Sequence, residues 1–296
     1  MENLRGIGLM IAAMAGFSLE DMFVKSLSSN LPVGQVLFLL GCGGLLAFGI
    51  KVYREGQRLL TRDIWHPVAM IRNLSEMASA ICFILAIVLT PLSSASAILQ
   101  ATPLMVTLGA AVFLGEPVGW RRWSAIAIGF CGVLMVVRPG LAGFNPASLF
   151  AVAAVVFIAA RDVSTRAIPA HITSMQLSAW AYGTTILSGL LVMPFGRPPV
   201  IPSPIEISML FGALTMGVLG YYALIQSTRL GDMSAIAPFR YSRLIFALII
   251  GMLVFSERPD FWTLTGSALI IASGLYTFAR EERARQRRLS SGPPDL

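Results

Sequence analysis

The chain has 296 residues, 56% of them hydrophobic and only 12% charged, with a mean hydropathy of +0.75. A soluble domain carries about 25% charged residues, so this composition excludes an ordinary water-soluble fold and reads as an integral membrane protein. The formal charge of +7 sits mostly in short loops and the C-terminal tail, which speaks against nucleic acid as a partner.

Taken from the start, Arg5 followed by an apolar run to Phe17 has the outline of a signal peptide. Glu20, Asp21 and Lys25 follow directly, however, and the segment is expected to stay as the first helix. Apolar runs of roughly 18–23 residues, enough for about 30 Å of hydrocarbon, then recur along the chain. Ten are read: 4–24, 33–53, 67–89, 93–114, 121–137, 147–165, 173–194, 205–227, 232–255 and 261–279. Punctuation such as Leu31-Pro32, Thr90-Pro91, Gly115-Glu116-Pro117, Arg138-Pro139-Gly140 and Glu257-Arg258-Pro259 makes neighbouring helices antiparallel. No stretch between them could hold a separate soluble domain. Cys42, Cys82 and Cys131 stand singly in apolar runs, and His66 and His171 fall at loop edges. That pattern predicts no disulfide framework, no metal site and no cofactor.

Lys and Arg set the expected orientation. With the N-terminus inside, fifteen fall on the cytoplasmic side, including Arg161 and Arg166, and four outside (Lys25, Arg138, Arg197 and Arg258). Arg72, Arg240 and Arg243 remain within the membrane. Both termini are therefore expected in the cytoplasm, with the basic tail 281–296 disordered and near anionic headgroups.

The two halves repeat. Asp21 and Asp162, Lys25 and Arg166, and Glu116 and Glu257 each match at an offset of 141; Trp120 and Trp262, Gly132 and Gly274, and Arg138 and Arg280 match at 142. Five spans per repeat is an odd number, so the halves 1–140 and 141–280 must lie upside down to each other. Each half also runs from a small-residue helix through a Glu-containing turn to a glycine-bearing helix. The first copy is Ser93–Ile98, Pro103, Phe113-Leu114-Gly115-Glu116, Gly129 and Gly132; the second is Ser234–Pro238, Val254–Glu257, Gly266 and Gly274. This resembles the tandem EamA domain of the drug/metabolite transporter superfamily over essentially the whole chain. The resemblance implies an all-α polytopic membrane protein, with ten transmembrane helices as two inverted five-helix repeats. It also implies export or exchange of a small metabolite, in a family whose members move amino acids, nucleotide-like metabolites, vitamins or drugs.

Polar groups inside the spans are the candidate substrate contacts. Arg240 and Arg243 share a helix face, with Arg240 eight residues past Asp232, about 12 Å along a helix. They are read as a carboxylate or phosphate clamp, or as structural partners of buried carboxylates. Carried back by 141, Tyr241 lands on Gln100 and Arg243 on Thr102, so both repeats place polar groups on one cavity, beside kinks at Pro103 and Pro238. Glu76, one turn from Arg72 and near Asn73, pairs locally, binds a substrate ammonium or carries a coupled proton. Tyr221, Tyr222 and Trp180 are candidates for stacking a planar substrate. Glu20 and Asp21 are placed at the outer rim and Asp162 at the inner rim, with the repeat-related Asp21 and Asp162 as gate or proton-coupling candidates. Glu116 and Glu257 lie in turns and are expected to cap the helices that follow them or to hold the turn.

The expected function is a secondary active transporter working by alternating access. The lead substrate is an amino acid with an aromatic or hydrophobic side chain; the alternative is an organic anion, vitamin or nucleotide-like metabolite. Without a nucleophile–base pair or paired carboxylates at one face, a membrane-embedded enzyme is the rejected class. The expected partners are the substrate, the lipid bilayer and protons as coupling ion. The expected location is a bacterial inner membrane; the sequence is compatible with a monomer and does not set the oligomeric state.

Overall fold

Hydrocarbon offers no partner to a free amide or carbonyl, so an apolar chain crossing it closes its hydrogen bonds within helices. The computed structural model describes residues 2–113, 115, 119–141, 143–169, 171–230 and 236–290, and within them no strand occurs. The helices are α1 (Glu2–Leu27), α2 (Val33–Arg54), α3 (Pro67–Leu89), α4 (Leu92–Leu99), α5 (Thr102–Phe113) and α6 (Trp120–Val137) in the first half. The second half adds α7 (Ser148–Arg166), α8 (Ser174–Val192), α9 (Pro204–Leu230), α10 (Ser242–Val254) and α11 (Phe261–Ser290). Among the described residues nine helical spans are long and apolar enough to cross a membrane, α4 and α5 counting together as Leu92–Phe113. The tenth crossing is α10 with the 3-10 turn Ala237–Tyr241 before it, too short as described to count by length alone. The protein is a multi-pass integral membrane protein.

Helix partners follow the sequence repeat. α1 packs on α9 and α3 on α7, the same relation with the halves exchanged. α2 packs on α8 and α6 on α11, each a helix against its own repeat mate, and α4 of the broken fourth span packs on α10 of the broken ninth. A pairing list that survives exchange of the halves is the signature of pseudo-twofold symmetry. Close approach at two of the self-paired contacts depends on glycine. A Cβ at Gly132 would lie 2.7 Å from the Gly266 carbonyl oxygen, and one at Gly266 would lie 2.7 Å from that of Gly132. At the α2–α8 crossing a Cβ on Gly189 would meet the Phe38 amide at 2.5 Å. Small residues of this kind let backbones touch where lipid supplies no hydrophobic drive.

Both repeats break one helix at the kinks anticipated at the prolines. Pro103 cannot donate to residue 99, and the chain tightens: Ala101 N–H donates to Ile98 O at 3.0 Å and the Thr102 hydroxyl to Leu99 O at 2.6 Å. Pro238 sits in the 3-10 turn that precedes α10. The breaks meet, as the Gln100 side-chain amide donates to the Arg240 carbonyl at 3.4 Å.

Residues 281–290, expected as part of a disordered tail, instead continue α11 as helix to Ser290. Glu257 does not cap the helix that follows it; Asp260 does, accepting from Thr263 N–H at 2.9 Å. The Glu257 carboxylate instead accepts from the Leu92 amide, from the Ser93 amide at 3.0 Å and from the Ser93 hydroxyl at 2.7 Å, capping α4 in the other repeat. Lys25 lies 3.3 Å from the same carboxylate and donates to Thr90 O at 2.6 Å. Glu116, Ser234, Ala235 and residues 291–296 of the tail lie outside the described residues.

Candidate functional site

Between the two repeats lies a cavity of about 1540 Å³. Its lining reaches Trp120, Arg122, Arg166 and Arg280 at the bundle end where the described chain begins and finishes. Toward the opposite end it stops at Val24, Leu37 and Ile87, short of the Lys25–Glu257–Ser93 cluster. The volume exceeds the roughly 300–1,000 Å³ of a small-molecule pocket because it includes this entrance.

Charges in the cavity are mostly committed to one another. Arg243 donates to Asp21 at 2.8 Å, its guanidinium lying 5.4 Å from the Phe17 ring centroid and 5.5 Å from that of Phe83. Two aromatic faces hold a cation by its attraction to the ring quadrupole, and they fix this one in place. Glu76 lies 3.3 Å from Arg72 and 3.3 Å from Arg161. Arg72 also donates to Asn73 at 2.9 Å, and Arg161 contacts Asp162 at 2.8 Å. Arg240 and Glu20 line the same cavity, and among the described residues neither has an ion pair.

Of the residues singled out from the sequence, Glu76, Gln100, Thr102, Tyr221, Arg240, Tyr241, Arg243, Asp21 and Asp162 converge on this cavity. Trp180 and Tyr222 do not. Trp180 is only 4% exposed, donates its indole N–H to Leu59 O at 2.7 Å and packs with Ala69 and Ile172. Tyr222 is 51% exposed on the outside of the bundle, its hydroxyl accepting from Gln226 at 2.9 Å. Tyr182 takes the aromatic place instead, lining the cavity and stacked on Phe48 at 5.4 Å.

Three positions differ from the sequence reading. Glu20 and Asp21 are not at the rim, because α1 continues to Leu27 and carries both into the cavity wall. Arg161 is not a loop charge, since α7 runs to Arg166 and holds Arg161 beside Glu76. A usable signal was present: the offset of 141 that relates Asp21 to Asp162 also relates Glu20 to Arg161.

A family model described as the EamA-like transporter family matches residues 4–138 and again 145–279. The chain belongs to the EamA-like transporter family. It is 25% identical to the S-adenosylmethionine uptake transporter of Rickettsia felis, over 97% of each chain. It is 25% identical to the pseudopaline exporter of Pseudomonas aeruginosa, over 90% of this chain and 94% of that one. With the riboflavin transporter of Vibrio cholerae it shares 27% identity over 67% of this chain and 66% of the relative. A solved crystal structure superposes with a TM-score of 0.61 at 19% identity, covering 90% of this chain and 98% of that one, which supports the fold. Family membership makes this protein a transporter of small molecules and not an enzyme. Since the relatives' names include both uptake and export, EamA-like membership does not carry a direction.

Proposed function

We propose that this EamA-like protein moves an amino-acid-type metabolite by alternating access, and that Arg240 receives its carboxylate. One observation carries the reading: Arg240 presents an uncommitted guanidinium to the cavity, while Arg72, Arg161 and Arg243 are engaged by Glu76, Asp162 and Asp21. A guanidinium fork matches a carboxylate in two parallel hydrogen bonds, and the watery cavity removes the cost of keeping it in lipid. The engagement of Arg243 by Asp21 weakens the alternative of a two-arginine clamp for a phosphate or multiply charged anion. Tyr182, Tyr221 and Tyr241 suit a substrate with a planar or apolar substituent. S-adenosylmethionine, the substrate in the Rickettsia name, is an amino acid bearing such a group and is a natural first probe.

By the excess of Lys and Arg, the open end faces the cytoplasm of a bacterial inner membrane. The opposite end is closed by the Lys25–Glu257–Ser93 cluster, and alternating access requires that it separate. The cavity is complete within one chain, which favours a monomer as the working unit. Glu20, Asp21, Glu76 and Asp162 are the carboxylates available to a coupled proton.

The test is uptake of labelled S-adenosylmethionine and of L-amino acids into proteoliposomes, with and without a pH gradient. Arg240→Gln is expected to lower uptake of the transported compound by at least about tenfold, one lost charge-assisted contact, while the protein elutes as wild type. Unchanged uptake by Arg240→Gln would refute the assignment.

A further inference from the structure

The repeat relation exposes a place where the two halves should make the same contact and do not. An offset of 141 relates Arg161 to Glu20 and Gly217 to Glu76. In one half, Arg161 on α7 meets Glu76 on α3 at 3.3 Å. In the other, Glu20 on α1 meets Gly217 on α9, and a Cβ at 217 would fall 2.7–2.9 Å from the Glu20 carboxylate atoms. The mirrored contact is thus kept in space while its counter-charge is missing. One half has an ion pair, and the other has an acid facing a residue without a side chain.

Charge accounting across the cavity gives the same result. Arg72, Glu76, Arg161 and Asp162 balance among themselves. Glu20, Asp21 and Arg243 together keep one negative charge, and Arg240 keeps one positive charge. Inward of the entrance arginines Arg121, Arg122, Arg166 and Arg280, the site is balanced but separated into an anionic and a cationic pole. An uncompensated carboxylate on the cavity wall either takes up a proton or draws a cation to itself. Glu76, by contrast, already has two arginines and no charge left to offer.

We propose that Glu20, whose carboxylate rests against Gly217, receives the cationic centre of the transported molecule, an ammonium or comparable organic cation, from the cavity side. This rests on the carboxylate reading of Arg240 and completes it, since Arg240 and Glu20 then take the two ends of one zwitterion. Gly217 acts as a positioning residue, because any side chain there pushes the Glu20 carboxylate aside.

The experiment uses the full chain in proteoliposomes with three probes: L-tryptophan, S-adenosylmethionine, and indole-3-propionate, which keeps the ring and carboxylate of tryptophan and lacks the ammonium. Wild-type protein is expected to take up the zwitterions in preference to indole-3-propionate. Glu20→Gln lowers zwitterion uptake by at least about tenfold and changes indole-3-propionate uptake by less than about twofold. Glu20→Asp recovers part of the loss. Gly217→Ala, which displaces the carboxylate without removing it, shows the same selective pattern to a smaller degree and covers the case in which Glu20→Gln fails to fold. Equal losses for tryptophan and indole-3-propionate, or no loss for either, would overturn the proposal. Failure of the underlying reading shows elsewhere: in wild-type liposomes that take up none of the probes, or in Arg240→Gln liposomes with unchanged indole-3-propionate uptake.

Discussion

Asp21 and Arg243 lie 222 positions apart in the chain and 2.8 Å apart in the fold. Their ion pair ties α1 of the first repeat to α10 of the second, with Phe17 and Phe83 on either side of the guanidinium. Removing one partner of such a buried pair leaves a charge with nothing to answer it, at a cost of roughly 3–5 kcal/mol. Asp21→Asn and Arg243→Met should each lower the thermal denaturation midpoint in detergent. The double variant Asp21→Leu with Arg243→Met should recover most of the loss, because no charge is then stranded. A double variant less stable than both singles would show that the pair is not the coupling element.

Glu76 separates two arginines. Glu76→Gln leaves Arg72 and Arg161 facing each other across a neutral side chain, so the expected effect is on folding before transport. The folded yield after detergent extraction should fall well below that of Arg240→Gln, a contrast read directly by gel filtration. Glu76→Gln protein that elutes like wild type and fails only in transport would return Glu76 to the substrate contacts.

The α6–α11 crossing has backbone against backbone. A Cβ on Gly266 would sit 2.7 Å from the Gly132 carbonyl oxygen, and 2.8 Å from a Val136 methyl. Overpacking of this kind typically costs about 1–3 kcal/mol, and here backbone cannot yield as a side chain does. Gly266→Val should lower the denaturation midpoint more than Gly183→Val, since a Cβ at Gly183 meets nothing within 4 Å.

At the closed end, Arg138 holds Asp260 by a short charge-assisted hydrogen bond, and this guanidinium lowers the Asp260 carboxyl to about 2. A carboxyl depressed in the folded state contributes stability above its unfolded value, 3.8, and loses it as pH falls through the folded one. The stability difference between wild type and Asp260→Asn should therefore be flat from neutral pH down to about 4 and shrink between there and about 2. Because the Asp260 side chain is 46% exposed, the difference should be small, about 0.2–1 kcal/mol. A difference that grows on acidification would reverse the sign of the argument.

The fold was largely legible in the sequence because its determinants are additive along the chain. Apolar run length sets the crossings, and matched charges at one fixed offset reveal the repeat. The site was legible only in part. Arg240, Arg243, Glu76 and Gln100 stood out as polar groups deep in apolar runs, and they do meet in the cavity. Glu20 and Arg161 were misplaced because each sits near a helix end with charged neighbours, where a loop count cannot tell a rim residue from a wall residue. Trp180 looked like a stacking platform by depth alone, yet the carbonyl that fixes it, that of Leu59, belongs to a loop outside any periodic pattern. Partner choice between distant helices was unreadable for the same reason. Asp21 could have answered any of the arginines, and only the packing of α1 on α10 selects Arg243.

Glu257 satisfies three donors from Leu92 and Ser93 and lies within ion-pair distance of Lys25. Because one carboxylate serves all of these contacts, they are given up together: as Glu257 withdraws, the first turn of α4 loses its cap in the same step that Lys25 loses its counter-ion. If access alternates as proposed, this side of the molecule then acts as a catch whose contacts share one release. A transporter built this way can have a narrow seal, because its tightness comes from cooperativity.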